Sequence, residues 1–169
     1  MSAAQHTSLP LTAAQTGVWF AHRLNPDSPV YNVGEYVEIH GPVDAGLFEA
    51  ALAQVVAEAG TLHVRLTEER DGPRQTTGAA RGARLRLLDV SGEADPAAAA
   101  RAHITADMAR PVDITGDDLY AYALIKLADD RYFWHQRYHH VLISASRRSS
   151  QSRVAASTRA EPFTALVTR

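Results

Sequence analysis

Cysteine is absent from this chain, which removes disulfides and thiol chemistry. No apolar run approaches the roughly 18 residues that a membrane span requires. The opening stretch, MSAAQHTSLP, has neither the basic start nor the apolar core of a secretion signal, so the sequence predicts a protein that is not exported and is read as cytoplasmic. Glycine-rich phosphate cradles are missing too: there is no GxGxxG, and no Gly-Lys pair followed by Ser or Thr. Basic residues form no stripe interleaved with aromatics, and this argues against a nucleic-acid partner.

What is present is a folded chain: 169 residues, 46% hydrophobic and 21% charged, enough for one domain or one lobe of something larger. Its net charge of −2 hides two compositions. Residues 144–169 carry Arg147, Arg148, Arg153, Arg159 and Arg169 against Glu161 alone, a balance of +4. The remaining 12 basic and 18 acidic side chains leave the first 143 residues at −6. We therefore divide the chain into a body, 1–143, and an Arg/Ser/Ala-rich tail, 144–169, predicted to be poorly ordered.

Along the body, Thr12 caps a helix through AAQTGVWFAHR, with Ala14, Val18, Trp19, Ala21 and His22 near one face. NPDSP at 25–29 stops it, and YNVGEYVEIHG alternates like a strand. Pro42 and Asp44 open a second helix that runs toward Gly60. TLHVRLT reads as a short strand, EERDGPR as a turn, and RLRLLDV as another strand. Asp95 and Pro96 start a third helix, closed by Pro111. LYAYALIKLADDRYFWHQRYHHVLI then gives two strands joined at Asp129 and Asp130, although so dense an apolar run also suits a buried helix. Helices mixed with strands in this order predict an α/β class, an α+β two-layer sandwich with helices on a mixed sheet.

The chemistry-bearing residues are the histidines, at 6, 22, 40, 63, 103, 135, 139 and 140. His135 and His139 are four apart, but on a strand that spacing does not bring both to one metal ion, and no metal site is expected. His139 and His140 are adjacent at a strand end, where neighbouring side chains point to opposite faces. One imidazole can then brace the fold while the other enters a cleft, where a neutral ring takes a proton from an attacking amine or hydroxyl. Two ordinary histidines at a strand end fit the spacing as well.

Three segments resemble the condensation domains of nonribosomal peptide synthetases, in the chloramphenicol acetyltransferase-like superfamily. YHHVLI is similar to the first half of their HHxxxDG motif. LTAAQTGVWFAHRL matches SxAQxRLWxL at Ala14, Gln15 and Trp19, and LHVRL stands where the family writes LRTRF. The resemblance covers about residues 9–143 and implies the N-terminal lobe of a two-lobed acetyltransferase-like fold with the active site in a tunnel between lobes. It implies amide formation between an acyl or peptidyl thioester and an aminoacyl amine, both held on phosphopantetheine arms of peptidyl carrier proteins. Those carriers and other synthetase domains are the implied partners, with no cofactor bound directly. His140 would orient or deprotonate the amine and His139 would pack behind it. Arg65 would pair with the motif aspartate, and the motif glycine would let a backbone amide approach the thioester.

Here the pattern breaks: Ser144 and Ala145 occupy the places of that aspartate and glycine. An Arg65 buried without its carboxylate would cost on the order of 3–5 kcal/mol. The second lobe is not in this sequence either, so the chain by itself is expected to be inactive. A reading-frame shift near codon 144, or a deliberate truncation, would account for the change of composition; a genuine one-lobe protein is the alternative, and the nucleotide sequence after codon 143 decides between them. Two other functions stay open: a non-catalytic lobe docking a carrier protein or synthetase part, and a coenzyme A-dependent acyltransferase. The uncovered lobe interface would also allow self-association.

Overall fold

Each long helix begins where the sequence supplies an oxygen to cap it. A computed structural model of the chain describes residues 8–77, 84–116 and 119–143; the predicted tail, with Ser144 and Ala145, lies outside them. Helix α1 (Ala13–Leu24) starts with a reciprocal box: Gln15 N–H donates to the Thr12 hydroxyl at 3.2 Å, and Thr12 N–H donates to the Gln15 side chain at 2.9 Å. Asp44 caps α2 (Ala45–Glu58), and Asp95, followed by Pro96, caps α3 (Pro96–Met108). Gly60 is not the stop of α2. The helix ends at Glu58, and Gly60 opens a 3-10 turn (Gly60–His63).

Among the described residues, seven strands form two sheets. β1 (Ser8–Pro10), β4 (Gly72–Thr77) and β3 (Val64–Glu69) make a small antiparallel sheet in the order β1-β4-β3. β2 (Asn32–His40), β7 (Arg131–His139), β6 (Tyr120–Ala128) and β5 (Leu85–Asp89) make the second, in the order β2-β7-β6-β5, with only β5 and β6 parallel. Sequence reading predicts β2, β3, β5 and the β6–β7 hairpin but misses β1 and β4. Before β4 the segment EERDGPR turns only at Arg70 and Asp71; Gly72, at φ 115°, takes the left-handed conformation and the chain returns as a strand.

The mixed-sheet α/β class follows the expectation, but helices lie on both faces of the four-stranded sheet, which makes three layers there where the sequence predicts two. Leu52 and Val56 of α2 pack on Leu85, Tyr122, Leu124 and Tyr132. Ala100 and Ile104 of α3 pack on Ala123, Ile125, Leu127 and Phe133. Because β6 is covered on both sides, its sequence, YAYALIKLA, reads as a nearly continuous apolar run, whereas β7 carries polar side chains among its aromatics. The ambiguity with a buried helix resolves as a hairpin turning at Asp129 and Asp130. A third cluster joins α1 to the end of β7: Trp19, Leu66, Val112, Ile114, Leu119, Val141 and Leu142.

Gly34 shows how closely α3 approaches. A Cβ there would lie 2.5 Å from Met108 Sδ and 2.9 Å from the Gln136 carbonyl oxygen. The methionine can swing aside, but the β7 backbone cannot without disturbing its pairing with β2. Gly34→Ala should cost about 1–3 kcal/mol, read as a lower urea midpoint; an unchanged midpoint would mean the sheet yields there.

Candidate active site

β7 is hydrogen-bonded along its length to β2 on one side and β6 on the other. Alternation sends Phe133, His135, Arg137 and His139 to one face and Tyr132, Trp134, Gln136 and Tyr138 to the other. The strand ends at His139, whose N–H donates to Leu119 O at 2.7 Å, and His140 opens a single helical turn, α4 (His140–Ile143). His139 is 2% exposed and His140 is exposed. Two adjacent imidazoles are thus separated by the surface of the fold.

The His139 ring sits among aromatic neighbours. His22 of α1 meets it edge-to-face, with centroids 5.3 Å apart and planes at 85°, and Tyr31 lies 5.9 Å away at a tilt. Its Nδ1 accepts a hydrogen bond from Val141 N–H at 3.3 Å. Burial, followed by the neighbouring His22, His140 and Arg137, pushes its pKa down to about 4. His139 is therefore neutral and shielded near pH 7, and the imidazole open to an incoming molecule is that of His140.

Beneath the pair lies a buried ionic cluster that the sequence reading missed. Arg137 is fully buried; its Nε donates to Asp107 Oδ2 at 2.9 Å, and His135 Nε2 lies 3.1 Å from the same oxygen. His135 Nδ1 is 3.1 Å from Glu35 O, and Asn32 donates to Met108 O and Arg110 O at 2.9 and 2.8 Å. The C-terminal turn of α3 is thus fastened to β2 and β7, with a cation placed where helix carbonyls favour one. Burial alone would raise the Asp107 carboxyl, but hydrogen bonds from His135 and Arg137, and their charge, bring it down to about 2. A signal was available: two cation-forming side chains on the buried face of one strand need a counter-charge, and Asp107 is the single acid of α3.

Arg65 is not part of this arrangement. It lies exposed on β3, because its neighbour Leu66 turns into the cluster with Val141 and Leu142, and strand alternation sends Arg65 the other way. The expected cost of a stranded buried guanidinium therefore does not arise at this position. The buried polar residue of LHVRL is His63, opposite the first arginine of LRTRF; its Nε2 lies 3.3 Å from Ala57 O. Ser144 and Ala145 fall outside the described residues, and their expected roles beside His140 belong to proposal. Among the described residues, no group of three or more His, Asp or Glu is placed to hold a metal ion.

Comparison with known proteins follows the same lines. A family model described as "Condensation domain" matches residues 5–146. A dimodular nonribosomal peptide synthase of Bacillus subtilis (strain 168) is 46% identical over 157 residues, 93% of this chain and 6% of the relative. That alignment is longer than the 143-residue body, so similarity continues past the replaced motif residues. An isonitrile lipopeptide synthase of Streptomyces coeruleorubidus is 42% identical over 93% of this chain and 10% of its own length. Among solved structures, the starter condensation domain of rhizomide synthetase superposes with a TM-score of 0.76 at 45% identity, covering 80% of this chain and 33% of that one. A variant of that domain is described in complex with C8-CoA and Leu-SNAC. The chain thus spans a tenth or less of these curated relatives and about a third of the solved domain.

Proposed function

The chain belongs to the condensation-domain family, and from that premise we propose that it forms the histidine-bearing wall of an amide-forming site, completed by a second lobe. The observation that carries this is the pair at the end of β7: His139 buried and neutral, His140 exposed beside it. The amine nitrogen attacks the thioester carbonyl, a C–N bond forms, the C–S bond breaks, and the thiol leaves with a proton. His140 orients the amine and carries that proton between nitrogen and sulfur. His139 is its support.

The acceptor amine is carried on the phosphopantetheine arm of a peptidyl carrier protein, the partner that relatives of this kind imply. For the donor, likeness to a starter domain described with C8-CoA favours an acyl coenzyme A thioester as the first acyl source. Ser144 and Ala145, in place of the motif's aspartate and glycine, weaken the site by removing a carboxylate and a freely rotating backbone position.

The test supplies C8-CoA and Leu-SNAC to the chain alone and to the chain co-expressed with the remaining two-thirds of a starter condensation domain, with the acyl-leucine product read by mass spectrometry. The chain alone should give none. The complemented chain carrying Ser144→Asp and Ala145→Gly should give product, and His140→Ala in that background should lower the rate by about 10²–10⁴-fold. Turnover unchanged by His140→Ala would overturn the role. Absence of product from every complemented form, with binding to a loaded carrier protein intact, would favour a non-catalytic docking lobe.

A further inference from the structure

We propose that His22 is a positioning residue for this site: its ring, set edge-to-face against His139, holds the His139 ring where Nδ1 accepts the Val141 N–H, and so fixes the turn from which His140 projects. This rests on the reading of His140 given above, but the contacts are of the chain itself.

His22 is 3% exposed, on the same face of α1 as the buried Gln15 and Trp19. Of the elements around His139, β7 contributes Arg137, α1 contributes His22, the turn at Pro29–Tyr31 contributes Tyr31, and α4 contributes His140. Asp113 acts on His22 from the loop after α3. If Nδ1 of His139 accepts from Val141, the ring proton must sit on Nε2. That nitrogen is buried without a hydrogen-bond partner among the described residues, as is His22 Nδ1. Neither nitrogen has an oxygen to hold it, so the orientation of His139 depends on the packing of rings against it and on a weak contact between an N–H and an aromatic face. A single imidazole on α1 thus sets the tautomer of its neighbour, and the tautomer sets whether the first turn of α4 keeps its hydrogen bond. Burial lowers the His22 pKa against the opposing pull of Asp113, which keeps this contact between neutral rings near pH 7.

The test uses the whole 169-residue chain labelled with 15N-histidine and 15N-valine, without any assay of turnover. Long-range 1H–15N spectra should find His139 of the unaltered chain locked as the Nε2–H tautomer at neutral pH. In His22→Ala the ring should sample both tautomers, and Val141 amide exchange should quicken by about fivefold or more. His22→Phe, which keeps an aromatic edge in place, should restore both readings. An Nδ1–H tautomer in the unaltered chain overturns the proposal before any substitution is made. So does a folded His22→Ala with His139 and Val141 unchanged. Failure of amide formation would leave these spectra as they are, which separates this inference from the catalytic reading.

Discussion

Replacing Asp107 with Ala should destabilise the chain by about 3–5 kcal/mol, because it leaves the fully buried Arg137 guanidinium without its carboxylate. His135 loses an acceptor in the same step. The paired replacement, Asp107→Leu with Arg137→Met, should recover most of that loss, since removing both charges also removes their desolvation cost. Urea midpoints at pH 7 for the single and double variants decide the matter; a single variant within about 1 kcal/mol of the parent would contradict the burial of the pair. The same cluster predicts an acid dependence. The folded Asp107 pKa, about 2, lies below the ordinary value near 3.9, so its contribution is complete above that value and fades as pH falls toward 2. The Asp107→Asn variant should flatten this part of the stability profile.

Trp19→Ala carries the second large effect. The indole is 1% exposed and packs with Leu66, Val112, Ile114, Leu119, Val141 and Leu142, so its removal should cost about 3–5 kcal/mol. The consequence reaches the site: Val141 and Leu142 form the turn that begins with His140, and a cavity beside them should speed amide exchange at 141–143 more than in β7 itself. Trp19→Phe should lose much less on both counts. Equal exchange across β7 and α4 in Trp19→Ala would mean that the turn does not depend on this cluster.

Elements with their own punctuation were legible in the sequence. Thr12, Asp44 and Asp95 announce helices because a cap is a local interaction, and Asp129 with Asp130 marks the hairpin for the same reason. β4 was not, because GPRQTT holds Gly, Pro and polar residues and becomes a strand only by pairing with β3 and β1. That one of His139 and His140 is buried and the other exposed could be read from two residues, but not its cause: His140 leaves the strand and opens α4. The support behind them could not, because Asp107 and Arg137 are thirty residues apart and His22 reaches His139 from the other end of the chain. The reading of Arg65 failed on parity: Leu66 had to face the core, and the residue beside it could not.

β7 lies between two strands along its whole length, while α4 is a single turn. Rigidity and adjustability are therefore divided between neighbouring backbone segments. A change under the strand alters how well the lobe survives heat or urea, whereas a ring change at His22, against the end of the strand and the turn, re-aims one imidazole. Descendants of such a chain could retune what the histidine meets without reworking the sheet that carries it.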